Sequence, residues 1–521
     1  MNFLLVTSLV STALAVGLTP HESDCLHLSA PQVPGAKVLS ISATERWNYS
    51  VPATPPFLPS SVQDLNICDV TVILAHAGAQ DQVTVKVWLP LQDWNGRFQA
   101  NGGSGFAAGE LDLTLGPTVK NGYSSASTDA GVGLNATSLD SWALKADGSV
   151  DFDALINFSH RSVHDMAIVG KELTAQFYGE KPTYSYWNGC STGGRQGMIA
   201  AQKYPELFDG ILAGAPAINW AKYVVAEQWP QVVMTQEQTF PSTCELKFFS
   251  DAAVTECDQL DGIKDGVIND PRKCHYDPFQ FVGQQIQCDG QNITITNSSA
   301  TVVHKTLRGP LDPSGRPLWY GINAGAPLDS LVNTTTDING RPTGNPFFVN
   351  NQWIKYYLAR NPGYDTGNIN YATFLDLFSK SYIDYDDIIG SDNADLSSFR
   401  HHGGKLLMWQ GLSDQLIFPG GTIDYRIRVE RLMGGPERTN DFFRLFFAPG
   451  VDHCAAGTTI GATPDDPFKT LVDWVEHGIV PKVISATLND ETRARRIICA
   501  YPQVAKYIGG DVNSASSFRC V

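Results

Sequence analysis

The stretch from Tyr184 to Gly214 constrains this chain more than any other. Tyr184-Ser185-Tyr186-Trp187 reads as a strand, Asn188 to Gly194 as a sharp turn, and Gln196 to Tyr204 as a helix stopped by Pro205. Phe208 to Gly214 reads as the next strand. The turn carries Gly189-Cys190-Ser191-Thr192-Gly193, a Gly-x-Ser-x-Gly core in the strand–turn–helix frame that a strained nucleophile turn requires. Its glycines let the backbone pass close to neighbouring elements, where a Cβ would clash. Ser191 is a weak nucleophile until an imidazole can take its proton.

Far downstream, Val451-Asp452-His453-Cys454 places a His beside a Cys, as Ser191 stands beside Cys190. If Cys190 and Cys454 form a disulfide, Ser191 and His453 are drawn together. His453 follows the strand Phe442–Phe447, and Asp414 follows the strand Lys405–Gln410 through Gly411-Leu412-Ser413. That chain order, Ser then Asp then His, is the order of an α/β-hydrolase triad. Asp414 would hold the imidazole tautomer and stabilise the imidazolium. Asp452 is the competing acid, but adjacency to His453 gives poor geometry for orienting its ring. His164 is the competing base; it precedes the Ser on a helical pattern over 156–178 and reads as structural. The oxyanion donors should be backbone amides: Thr192, after the nucleophile, and Gly102 or Gly103 in the loop Asn101-Gly102-Gly103-Ser104-Gly105.

The rest of the chain sets the frame. Its 521 residues exceed one simple core. Segments 16–216 and 400–521 carry strand and helix patterns: Val83–Pro90 and Arg97–Ala100 as strands, Ile423–Leu432 and Phe468–Glu476 as helices. Residues 25–75 read as turn-rich with short β-like runs. From 217 to 399 the βα alternation disappears amid Asn, Pro and four cysteines, which reads as an inserted lid domain. The fold class is therefore α/β, an α/β-hydrolase fold with a large inserted lid.

Residues 1–15 read as a secretion signal, with Ala13-Leu14-Ala15 as its cleavage site. Ten cysteines agree with an exported, disulfide-bonded chain. Sequons at Asn48, Asn135, Asn157, Asn292, Asn297 and Asn333 allow glycosylation. The net charge of −16 and the lack of a basic cluster argue against nucleic acid as a partner, and no later apolar run is long enough to span a membrane. The loop Cys257 to Asp270 is acidic and glycine-punctuated. Asp258, Asp261 and Asp265, with the carbonyls of Ile263 and Val267, form a candidate Ca²⁺ shell. No organic cofactor is expected.

These residues together resemble the tannase and feruloyl esterase family of α/β-hydrolases. The resemblance is carried by Asn95-Gly96-Arg97-Phe98, His160-Arg161-Ser162-Val163-His164, the stretch Tyr184 to Gly210, Asp258 to Asp270, Gly411 to Asp414 and His453-Cys454. It implies a Ser191–Asp414–His453 triad, a Cys190–Cys454 disulfide beside it, and a lid holding a structural Ca²⁺. It further implies the pairs Cys25–Cys68, Cys257–Cys274 and Cys499–Cys520. Where the family pairs the cysteine matching Cys288 a few residues later, this chain has none, so Cys244 is its expected partner. The implied substrates are phenolic-acid esters, ferulate-like acids on plant cell-wall sugars, including polysaccharide-linked ones. The alternatives are a tannase acting on galloyl esters and a non-catalytic binding protein on a hydrolase scaffold. Trp319, Tyr320, Phe347, Phe348, Trp353, Tyr356 and Tyr357 are candidates for the acyl pocket or for lid core.

Overall fold

A nine-stranded sheet organises the molecule. The computed structural model describes residues 25–55, 58–288 and 290–521, so the signal expected over 1–15 lies outside the described residues. The strands are β1 (Ala36–Val51), β2 (Val62–His76), β3 (Val83–Pro90), β4 (Arg97–Asn101), β5 (Ser124–Thr128), β6 (Tyr184–Cys190), β7 (Gly210–Gly214), β8 (Lys405–Gly411) and β9 (Phe443–Ala448). Their spatial order is β1-β2-β3-β5-β4-β6-β7-β8-β9. The β1, β2, β3 and β5 neighbours run antiparallel, and every pairing from β5 through β4 to β9 is parallel. This is an α/β fold with its functional turns at the carboxyl ends of parallel strands, where such sheets open their sites.

Helices α1 (Ser162–Tyr178), α2 (Thr192–Lys203), α3 (Trp220–Ala226), α4 (Trp229–Glu237), α5 (Thr243–Cys257), α6 (Tyr371–Ile389), α7 (Pro419–Met433) and α8 (Pro467–His477) pack around this frame. The period of two along each central strand sends alternate residues to opposite cores. Trp187, Ile211, Ala213, Leu406 and Met408 join Val163, Met166, Val169 and Leu173 of α1 on one face. Tyr186, Leu212, Leu407 and Phe446 join Leu471 and Trp474 of α8 on the other.

The amino-terminal region corrects the expectation of short β-like runs. It forms two long antiparallel strands, β1 of 16 residues and β2 of 15. The register of β1 on β2 shifts near Val38/Ser40 and Arg46/Tyr49, and much of β1 is solvent-exposed, so apolar alternation is diluted by Ser, Thr and charged residues.

Between β7 and β8 no described residue joins the main sheet. This stretch is mostly helical, with two small antiparallel pairs, Gln285–Cys288 with Gln291–Thr294 and Thr334–Thr336 with Pro342–Gly344. Its core of Trp220, Val232, Phe249, Val302, Trp353, Tyr357 and Tyr385 is continuous with Phe106, Trp142 and Phe158 from the preceding segment. Trp353 and Tyr357 are thus core residues, whereas Tyr320 is 40% exposed.

Cys25–Cys68, Cys190–Cys454, Cys257–Cys274 and Cys499–Cys520 pair as the resemblance implies, and Cys244–Cys288 forms as expected where the chain departs from the family. Of the sequons, Asn48, Asn135, Asn292 and Asn297 are exposed and Asn333 is half-buried. Asn157 is a correction. It is fully buried, donates to Asp81 Oδ2 at 2.7 Å and accepts from Arg161, which leaves no room for a glycan.

Candidate active site

The turn between β6 and α2 holds Ser191 at φ 58°, ψ −121°, a backbone state that costs a non-glycine residue about 1–3 kcal/mol. Its neighbours over-determine it. Ser191 N–H donates to Gly214 O at 3.0 Å, and Ser191 O accepts from Arg195 N–H at 2.9 Å and Ala217 N–H at 3.1 Å. Gly189 and Gly193 cross so closely that a Cβ on Gly189 would sit 2.6 Å from the Gly193 carbonyl. A Cβ on Gly102 would lie 2.5 Å from Gly193 Cα, so the glycine loop after β4 also needs that bare backbone.

Asp414 and His453 meet as the chain order predicts. His453 Nδ1 lies 3.0 and 3.1 Å from the two Asp414 oxygens, and Asp414 is fully buried. The carboxylate is held from its own loop by Leu416 N–H at 3.0 Å and Ile417 N–H at 2.8 Å, and by Gln410 Nε2 at 3.2 Å. With Nδ1–H donated to Asp414, the Nε2 lone pair is left on the far side of the ring. Cys454 Sγ is 3.6 Å from that nitrogen, and the disulfide ties it to Cys190, next to Ser191.

Asp452 does not orient the ring. Its buried carboxylate accepts from Gly457 N–H at 3.3 Å, Thr458 N–H at 2.8 Å and the Thr458 hydroxyl, closing a loop around His453 and Cys454. Within that loop Cys454 and Ala455 both adopt positive φ, and Gln415 Oε1 accepts His453 N–H at 3.1 Å. His164 sits on α1 against Tyr204 and bonds Asp165, away from the turn, as expected of a structural residue. Gln410, Gln415 and the Asp452 clasp were not singled out from the sequence; the adjacency of Gln415 to Asp414 and of Asp452 to His453 was the available signal.

The glycine amides correct the oxyanion expectation. Gly102 N–H donates to Asn188 O at 3.0 Å, and Gly103 N–H to Gln196 Oε1 at 3.0 Å. Both are spent on holding the loop against α2. Thr192 N–H and Ser104 N–H have no hydrogen-bond partner among the described residues. Beside the His453 loop lies a cleft of about 730 Å³, lined by Ser413, Gln415, Thr458 and Thr459 on one wall and by Lys247 and Asp251 of α5 on the other.

The acidic loop runs along the edge of this cleft, where Gly266, Val267 and Ile268 line it. Asp258 accepts from Asp265 N–H at 3.1 Å and Gly266 N–H at 3.0 Å. Asp265 Oδ2 accepts from Arg496 at 2.8 Å, while its Oδ1 is sealed from solvent without a partner. Burial, reinforced by Asp265 and Asp258 and opposed by the Ile263 N–H, pushes the Asp261 carboxyl up to about 6. A void of about 30 Å³ is lined by Asp261, Asp265 and Val267, and the Ile263 and Val267 carbonyls accept no backbone hydrogen bond. Among the described residues the carboxylates do not gather into a preformed metal cluster. The donor chemistry, all oxygen with one orphaned carboxylate atom, nevertheless fits a hard cation.

Comparison with known proteins agrees with this geometry. The family profile described as tannase and feruloyl esterase matches residues 68–521. The chain is 46% identical over 526 residues to a probable feruloyl esterase of Arthroderma benhamiae, covering 100% of this chain and 97% of that one. The tannin acyl hydrolase of Aspergillus niger superposes with a TM-score of 0.87 at 26% identity, covering 96% of this chain and 95% of the other. Feruloyl esterase B of Aspergillus oryzae superposes with a TM-score of 0.78 at 24% identity, covering 96% and 99%, a likeness of fold.

Proposed function

The chain belongs to the tannase and feruloyl esterase family, and from that premise we propose that it is a secreted serine esterase cleaving phenolic-acid esters through an acyl-enzyme. The observation that carries this reading is His453 bonded through Nδ1 to buried Asp414 and linked by the Cys190–Cys454 disulfide to the strained Ser191 turn. His453 Nε2 takes the Ser191 proton as Oγ attacks the ester carbonyl. Thr192 N–H, with Ser104 N–H in place of the occupied glycine amides, stabilises the oxyanion. His453 then gives its proton to the leaving alcohol oxygen, and water resolves the acyl-enzyme by the same steps in reverse. The alcohol leaves on the His453 side in this reading, where the cleft beside the His453 loop offers room for a sugar.

The stretch between β7 and β8 acts as a lid over the acyl group in this reading. Asp258, Asp261 and Asp265 with the Ile263 and Val267 carbonyls would hold a structural Ca²⁺, neutralising the acidic loop that Cys257–Cys274 brackets. Five disulfides suit an oxidising, extracellular setting, and among the described residues no helix is long and apolar enough to cross a membrane.

Initial rates on methyl ferulate, caffeate, p-coumarate, sinapate and gallate test the reading, with Ser191→Ala in parallel. Preference for the cinnamates, lost in the variant, is the expected result. Preference for gallate would make the enzyme a tannase, the reading favoured by the A. niger fold match. Equal, negligible rates in both proteins would leave a non-catalytic binding protein.

A further inference from the structure

Glu227, immediately after α3, is an acid with nothing to hold it. It is 1% exposed, and Oε2 is sealed from solvent with no hydrogen-bond partner. Burial, reinforced by the charge of Asp414, pushes its carboxyl well above the usual carboxylate range and so favours its neutral form. Its N–H donates to Tyr223 O at 2.9 Å, so the two side chains lie one helical turn apart on one face. Tyr223 is 3% exposed, and its ring belongs to the same buried core.

The surroundings are aromatic and connect to the backbone of the nucleophile turn. The Trp220 ring is 5.8 Å from Tyr223, 6.1 Å from Phe106 and 6.0 Å from Phe158. Trp220 also covers the Arg195 guanidinium at 5.6 Å, one turn into α2 from Ser191, and Ala217 bonds the Ser191 carbonyl directly. Ile417 and Phe418, from the Asp414 loop, belong to the same core. A buried polar group without a partner costs about 1–3 kcal/mol. Such a group calls for an explanation, and one set in an aromatic enclosure, with a tyrosine a turn away and the Asp414 loop in the same core, matches a ligand with an aromatic ring and a polar substituent.

We propose that Glu227 and Tyr223 determine acyl specificity by receiving the ring hydroxyl of the phenolic acid. The neutral carboxyl both donates its O–H and accepts the phenolic O–H, and Tyr223 completes the set. An acyl group lacking that hydroxyl leaves the buried Glu227 carboxyl unpaired, so the site discriminates by penalty as well as by attraction. This rests on the esterase reading above.

The test is the ratio of kcat/KM for methyl p-coumarate, with one ring hydroxyl, to that for methyl cinnamate, with none. It is measured for the native enzyme, Glu227→Leu, Glu227→Gln and Tyr223→Phe. The expected result is a ratio that falls about tenfold or more in Glu227→Leu and less in Tyr223→Phe, through loss on the hydroxylated ester. Glu227→Gln, whose amide still donates and accepts, should keep most of it. An unchanged ratio in folded Glu227→Leu, or equal loss on both esters, overturns the proposal in favour of a structural role. Should Glu227→Leu fail to fold, an unchanged ratio in Tyr223→Phe overturns it instead. Native enzyme that is folded yet inactive on p-coumarate and gallate esters alike would sink the esterase reading itself, a distinct outcome.

Discussion

His453 and His76 are each bonded to aspartate, and they differ in one respect. His453 gives only Nδ1 to Asp414 and keeps Nε2 unclaimed by any carboxylate. His76, at the end of β2, is clamped at both nitrogens, by Asp81 at 2.6 Å and by Asp165 of α1 at 2.9 Å. Asn157 and Arg161 close over Asp81 from a further side, and His164 bonds the other oxygen of Asp165. A general base needs a lone pair to offer. His453 has one, whereas His76 has both nitrogens engaged and pins the β2 end to α1. A His–Asp contact alone therefore says little about catalysis; the fate of the second nitrogen decides it.

The largest effect should come from breaking the catalytic side of this comparison. Asp414→Asn should lower kcat about 10⁴-fold with the Tm little changed, because the amide favours the wrong imidazole tautomer. Methyl ferulate hydrolysis and thermal unfolding measured together check both halves.

His76→Gln should do the reverse. It leaves two buried carboxylates without their cation and should cost about 3 kcal/mol of stability, with kcat unchanged. Denaturant unfolding against steady-state rates separates the two. A kcat loss without destabilisation would erase the contrast between the two histidines.

The same pair differs in its response to pH. Burial lowers the His76 pKa, but hydrogen bonds to Asp165 and Asp81 outweigh it, so the net value is raised above 6.5. A raised base stabilises fully below its unfolded value and loses that contribution as pH climbs through the folded one. Asp81 and Asp165 are each lowered; burial opposes this but is outweighed by Asn157 and His76 for Asp81, and by His164 and His76 for Asp165. Their contribution is present above about pH 4 and fades as pH falls through their folded values. The cluster should therefore stabilise most between about pH 4 and 6.5. Tm measured from pH 6 to 9 should fall in the native protein and fall less in His76→Gln.

Smaller effects sharpen the picture around His453. Asp452→Asn loosens the loop carrying His453 without touching its ring, and should reduce kcat about tenfold at unchanged KM. Chelation by EDTA should lower the Tm by several degrees, restored by Ca²⁺ but not by Mg²⁺, with the Asp414→Asn deficit unaltered. A Tm indifferent to EDTA and to added Ca²⁺ would remove the cation from the acidic loop.

Much of this site was legible because its members carry local marks. Ser191 lies in a glycine turn between strand and helix, Asp414 and His453 each follow a parallel strand, and two of the three adjoin a cysteine. The oxyanion donors were less so: the glycine loop is conspicuous, but the Gly103 amide is taken by Gln196, whose approach depends on how α2 docks. The His76–Asp165 clamp joins residues 89 apart, with no motif at either end. The long β1–β2 ribbon was hidden because its exposed face is polar and its register is bulged, so apolar alternation never ran far enough to read. Glu227 left no mark at all, since a lone Glu beside an apolar helix reads as surface until the packing buries it.

The most direct test of the central claim is covalent trapping of the nucleophile. The intact protein should react with an alkyl fluorophosphonate to one adduct per chain, mapped by peptide mass spectrometry to Ser191, with ester hydrolysis lost in proportion, and Asp414→Asn should react far more slowly. An adduct on another residue, or full hydrolysis by a protein that resists labelling, would contradict the account.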